Sequence, residues 1–208
     1  MDGEAPTSDM AAPPARIETE RLVIRRWRIE DAPLLRDAVD SSLEHLRAWM
    51  PWAMSEPATL EQTESRLAGY GEAFDAGTDF VYGVFDEQEA TVVGGTGLHT
   101  RVVEGGLEVG YWVRASETRR GYATEVARAL TTAGLAMAGV TRIEIHCDPR
   151  NVVSRRIPER LGYRLVETRR GDKLTPDGQP RDTAVFEMTR ERWEGLGHSG
   201  DGGSRRTE

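Results

Sequence analysis

Two arginines and a glycine stand directly before a helix-like stretch in TRRGYATEVARAL, residues 118–130. The first N–H groups of a helix lack partners inside it and the helix dipole is positive there. Positive charge and bare backbone at such a start therefore suit an anion, phosphate above all. An ordinary exposed turn would use the same residues, and the segment alone leaves both readings open. A second polar pair, Asn151 and Ser154 in NVVSRRIPERLGY, falls one helical turn apart and so on one face. Titratable side chains, Glu108 and His99, sit on neighbouring strand-like segments. The chain has no P-loop, which would need a second glycine followed by Lys and Ser or Thr. GGTG at 94–97 lies inside a strand pattern with no helix after it. That excludes a dinucleotide fingerprint and reads as a strand bulge or a close backbone approach. The 4 histidines show no zinc spacing, and the adjacent His146 and Cys147 point to opposite faces of a strand, so no metal is expected.

The elements that must carry these residues follow from periodicity. Arg21–Trp27 reads as a strand, Glu30–Trp49 as a helix, and Leu60–Phe74 as a second helix with Leu60, Thr63, Leu67, Tyr70 and Phe74 on one face. FVYGVFD, TVVGGTGLHT and LEVGYWVR are joined by connections too short for crossover helices, which predicts an antiparallel meander. Gly110 inside the third of these strands predicts a bulge. After Gly121, Ala123, Val126, Ala127, Leu130 and Met137 form one apolar stripe of a helix, with Gly139 as a left-handed stop. The strand TRIEIHCD follows, then a short helix over Asn151–Leu161 kinked at Pro158, and the strands YRLVETRR and DTAVFEMT around the turn-rich KLTPDGQPR. The class is α/β (α+β) with a mixed sheet.

Composition bounds the rest. The 208 residues, 38% hydrophobic with 22 glycines, suffice for one core. Residues 1–16, rich in Ala, Pro and acids, and 195–208, rich in Gly, Ser and charge, read as disordered tails around one domain, 17–194. A net charge of -8 argues against a nucleic-acid surface and suits a basic or amine-bearing substrate. The single cysteine excludes an internal disulfide, and no run is long enough to span a membrane, so a cytoplasmic location is expected.

TRRGYATEV followed by NVVSRRIPERLGY resembles the acyl-CoA-binding motif of the GNAT N-acetyltransferases. ETERLVIRRW and HLRAWMPWA are similar to their RimJ/RimL-type branch, whose members include acetyltransferases of ribosomal-protein N-termini. Gly121 and Ala123 fit the loop pattern, Thr118 takes its first place, and Arg119 stands where relatives often carry glycine. The resemblance implies the GNAT fold: a mostly antiparallel sheet splayed at a central parallel pair, with helices on both faces. It implies acetyl-CoA as co-substrate, held at its diphosphate by the amides of Arg119, Arg120, Gly121, Tyr122, Ala123 and Thr124. Trp112 and Val113 would meet the pantetheine arm, and Asn151 its amides. For the chemistry, strand alternation sets Glu108 on the opposite side from Val109 and within reach of the splayed region, which makes it the first candidate base with His99 second. The resemblance implies Ser154 as the hydroxyl that protonates the thiolate, and Trp49 and Trp52 as an aromatic wall for the acceptor. The acceptor is a protein N-terminus or a small amine, a non-catalytic acyl-CoA-binding module is the reading from another class, and a homodimer is left open.

Overall fold

The three glycine-bearing segments form the meander that their short connections demand. Strands β3 (Asp79–Asp86), β4 (Val92–His99) and β5 (Gly106–Val113) pair antiparallel in chain order. The computed structural model describes residues 12–103, 105–175 and 178–197. β1 (Arg16–Glu18) and β2 (Leu22–Arg26) extend the sheet on one side. β6 (Arg142–Cys147), β8 (Pro180–Thr189) and β7 (Arg164–Leu174) extend it on the other, in the order β1-β2-β3-β4-β5-β6-β8-β7. Every neighbouring pair is antiparallel except β5 and β6.

Helices cover both faces, and strand alternation decides which residues each face receives. α4 (Tyr122–Ala136) and α5 (Val152–Leu161) pack with Leu98, Leu107, Val109, Ile143 and Ile145 in one apolar cluster. α1 (Ala32–Asp40), α2 (Leu43–Arg47) and α3 (Leu60–Asp75) contribute to a second, with Val23, Trp27, Phe85 and Trp112. Full burial of side chains such as Leu107, Leu130 and Ile143 contributes about 1.5–3 kcal/mol each. α4 sits hard on the sheet at Gly134, where a Cβ would lie 2.6 Å from Ile143 Cδ1 and 3.0 Å from Leu98 Cδ2. That close seat fixes where the helix begins.

Several expectations are corrected. Helix 30–49 is broken into α1 and α2, because Ser41 bonds back to the carbonyls of Asp37 and Ala38 while the buried Ser42 hydroxyl accepts the N–H of Ala115. Of the expected N-terminal tail, Pro13 is buried, Pro14 O accepts the Tyr82 hydroxyl, and β1 starts at Arg16. At the other end α6 (Arg190–Gly195) buries Trp193. The rest of both expected tails, 1–11 and 198–208, lies outside the described residues. No register shift occurs at Gly110, which faces Gly97 regularly. Its missing Cβ instead leaves room for His99, whose Nε2 would lie 3.0 Å from it. The glycines of β4 do mark close approaches: a Cβ at Gly94 would stand 2.2 Å from the Trp112 carbonyl oxygen, and one at Gly95 would stand 2.5 Å from Trp112 Nε1. Gly139 is left-handed, with φ 78°, but α4 already ends at Ala136 with an extended Met137 as its C-cap, so the glycine lies in the turn before β6 and does not stop the helix.

Candidate active site

β5 and β6 stay together for three residue pairs only, Gly106 with Arg142 through Glu108 with Glu144. Beyond these, β5 is paired on its β4 side alone and β6 on its β8 side alone. The sheet therefore opens in its middle, and backbone groups on the two inner sides are left to pair with something strand-like. Glu108, Gly110 and Trp112 face the α1–α3 side of this opening, while Leu107, Val109 and Tyr111 face α4 and α5.

α4 begins at the outer end of β5. Its N-cap Gly121 is left-handed (φ 84°, ψ 0°), and no side chain caps the helix. The N–H groups of Gly121, Tyr122 and Ala123 meet no hydrogen-bond acceptor among the described residues. Those of Thr124 and Glu125 are taken by Gly121 O at 3.0 and 3.1 Å. Thr124 thus drops out of the expected row of main-chain donors. Arg119, which occupies a glycine-type place in the loop pattern, is itself left-handed with φ 64°. That conformation costs a side-chain-bearing residue about 1–2 kcal/mol. Arg119 is exposed, and Arg120 lies 3.1 Å from Glu117.

On the α5 side, Asn151 Oδ1 accepts the Ser154 N–H at 3.0 Å and so caps the helix. Ser154 Oγ lies 3.3 Å from the hydroxyl of Tyr111, which also contacts the Ser154 carbonyl oxygen at 3.3 Å. Burial holds the Tyr111 phenol well above its usual pKa against the opposing hydrogen bond to Ser154, so it stays a neutral hydroxyl. Sequence reasoning passed over Tyr111. Its signal was the alternation of LEVGYWV, which sets it opposite Glu108 and toward the helix that carries Ser154.

Glu108 is buried at 7% exposure and is not alone. Arg101 Nε and Nη2 each donate to it at 2.7 Å, and His146 Nδ1 stands 3.3 Å away, its Nε2 2.7 Å from Glu144. Burial pushes the Glu108 carboxyl upward, but Arg101 and the neighbouring histidines outweigh it and hold the group below the ordinary carboxylate range. His99 faces Glu108 across the β4–β5 ladder and binds Asp79 Oδ1 through Nδ1 at 2.8 Å. Glu108, His99 and His146 thus share one patch beside the split. Cys147 points into the opposite core, where burial pushes its thiol up to about 11. Among the described residues no group of three His, Cys, Asp or Glu could hold a metal ion. No helix there is long and apolar enough to cross a membrane.

The aromatic wall is built differently from the expected Trp49–Trp52 pair. Trp52, 38% exposed on a single-turn helix over Pro51–Ser55, meets Trp112 edge to face at 6.0 Å. Trp49 offers its carbonyl oxygen to Arg181 at 3.3 Å and makes no ring contact among the described residues. Of the nearby acids, Glu56 is buried against Arg66 at 2.6 Å and cannot receive a ligand ammonium, while Glu61 lies exposed on α3.

An open mid-sheet edge with an uncapped helix at its mouth is a distinctive frame, and comparison with known proteins gives it a family. The family model of the acetyltransferase (GNAT) domain matches residues 21–164. The chain belongs to the GNAT acetyltransferases. Within that family it is RimJ/RimL-like. It is 27% identical over 184 residues to the [ribosomal protein uS5]-alanine N-acetyltransferase of Escherichia coli (strain K12), covering 87% of this chain and 94% of the relative. Its fold matches that of RimL, a ribosomal L7/L12 α-N-protein acetyltransferase in complex with coenzyme A, with a TM-score of 0.75 at 18% identity over 88% of this chain and 99% of the other. The microcin C7 self-immunity acetyltransferase MccE, in complex with acetyl-CoA and AMP, gives a TM-score of 0.75 at 14% identity over 82% and 93%. The GNAT acetyltransferase thus shares its framework with enzymes of different acceptors, and framework alone does not select one.

Proposed function

We propose that this GNAT N-acetyltransferase uses acetyl-CoA to acetylate a protein N-terminal α-amine. The observation that carries the acyl donor is the opening between β5 and β6, which ends at the uncapped start of α4. An extended pantetheine arm fits the unpaired strand sides, with Trp112 and Val113 beside it, and a diphosphate fits the three N–H groups from Gly121 to Ala123 and the charges of Arg119 and Arg120. Asn151 holds the turn from which Ser154 projects. The similarity to the uS5-alanine enzyme over most of both chains supports a protein acceptor. So does the wall of Trp52 on Trp112, exposed rather than closed into a pocket.

The reaction needs a neutral amine, and an α-amino group with a pKa of about 7.7–8.0 supplies one near neutral pH. Its nitrogen bonds to the acyl carbon, the C–S bond breaks, and two protons move. The nitrogen, made acidic by bond formation, releases its proton to Glu108, with His146 and His99 beside it. The departing thiolate takes one from the Ser154 hydroxyl, which Tyr111 holds from behind; Ser154 regains a proton from solvent and Glu108 gives its own up to solvent, so both are restored. The test is thiol release from acetyl-CoA against peptides beginning with Ala, Ser or Met and against polyamines and aminoglycosides. Turnover of N-terminal peptides in preference to the small amines is expected. Turnover confined to the small amines would transfer the assignment to that class.

A further inference from the structure

The segment ETERLVIRRW has no part in the site so far, yet its side chains reach the start of α4. Thr19 Oγ1 donates to Glu125 Oε1 at 2.6 Å, and the backbone N–H of Arg21 donates to the same oxygen at 3.1 Å. The Arg21 guanidinium takes the other oxygen, with Nε at 2.9 Å and Nη2 at 2.5 Å. Its remaining nitrogen, Nη1, donates to the carbonyl oxygen of Arg120 at 3.0 Å, and the group lies 4.7 Å from the centre of the Tyr122 ring. One side chain therefore grips the loop before α4 and the first turn of α4 together.

The geometry points to Arg21 as the positioning residue for the diphosphate of the acyl donor, a role that rests on the acetyl-CoA reading above. A trans peptide group carries its C=O and N–H on opposite sides. The bond from Arg21 to the Arg120 carbonyl thus turns the Gly121 N–H away from Arg21 and keeps it beside the free N–H groups of Tyr122 and Ala123. Glu125 is the second reason. A carboxylate in the first turn competes with a bound anion for the positive end of the helix. Here both of its oxygens are occupied, and its side chain is 15% exposed against 43% for Arg21. Arg21 spends its charge on Glu125, so its contribution to the donor site is the orientation of the loop and the silencing of a competing anion. It touches none of the reacting atoms.

S-Acetylpantetheine carries the thioester and the pantetheine arm without the diphosphate, and it separates this role from general loosening of the fold. In Arg21→Ala, kcat/KM for acetyl-CoA should fall about tenfold through KM, the size of one lost charge-assisted contact, with S-acetylpantetheine changed less than about twofold. Arg21→Lys keeps a positive charge near Glu125 but cannot hold the carboxylate and the Arg120 carbonyl at once, so it should show the same selective loss. Calorimetric CoA binding, which needs no turnover, should weaken in both variants. Equal losses with both donors, or undiminished CoA affinity in Arg21→Lys, would overturn the clamp and leave the acetyltransferase reading standing. A wild-type protein that neither binds CoA nor uses either donor would overturn both.

Discussion

Glu108→Gln removes one charge from a buried cluster, and the surroundings of that charge fix what should follow. The carboxylate accepts two bonds from Arg101 at 2.7 Å with His146 at 3.3 Å. Such charge-assisted bonds contribute about 1.5–3 kcal/mol each. The Arg101 side chain is 59% exposed, however, and regains water when its partner goes. The net cost is then about 1–2 kcal/mol, a fall in Tm of roughly 3–6 °C for a domain of this size. The sign with pH follows from the lowered carboxyl. Its contribution is fully present above the unfolded value of about 4.3 and is lost as pH falls through the lower folded value. The titration of this carboxyl should therefore leave the Tm gap between wild type and variant unchanged from pH 6 to 8 and close it only in acid. Activity obeys the same argument. A carboxylate ionised throughout pH 6–9 cannot produce an ascending limb there, whereas an α-amine acceptor, near 7.7–8.0, can. Loss of the proton acceptor should lower kcat about a hundredfold. The wild-type to variant ratio of kcat/KM should stay level across the profile. A ratio that moves more than about threefold between pH 6 and 9 would show Glu108 titrating in that range and refute the reasoning.

Four further outcomes are expected. Gly121→Val, forced into a left-handed φ that β-branched residues resist, should weaken CoA binding at least about tenfold by calorimetry while the protein remains folded by circular dichroism. Arg119→Gly should leave Tm within about 2 °C, since relief of left-handed strain offsets the added chain entropy, and should weaken CoA binding a few-fold through the lost charge. Ser154→Ala should lower kcat about tenfold or more with acetyl-CoA affinity nearly unchanged, which pre-steady-state thiol release can separate from binding. Trp52→Ala should raise the peptide KM several-fold and change calorimetric CoA binding far less, because the exposed Trp52 ring is lost while Trp112, which lies beside the donor arm, stays in place.

Features set by local chemistry were legible in the residues. Gly121 and the stripe from Ala123 to Leu130 announced both the start of α4 and its inward face, and short connections announced the meander. What escaped depends on partners far along the chain. The break after Asp40 is made by a serine bonded to Ala115, and β1 is too short to show a period. Glu108 stood out by type and place, but its low proton affinity comes from Arg101 across a turn and from His146 on the parallel strand. Neither could be placed beside it before the strand order was known. Thr124 was lost as a donor for a local reason, the tight turn at Gly121 whose carbonyl takes its N–H.

The opening between β5 and β6 also bears on unwanted association between sheets. Unpaired strand edges at the rim of a sheet invite other sheets to dock and seed aggregation. This chain blunts its rims: β1 is three residues long, and β7, although it exposes Leu165, Val166 and Leu174, carries Arg164, Glu167, Arg169, Arg170, Asp172 and Lys173. Its longest inner edge is instead hemmed in by β4 and β8, with α5 against it through Ser154 and Tyr111. Edges so flanked suit a single extended thread better than a second sheet. The fold thus keeps the binding capacity of an open edge without its stickiness.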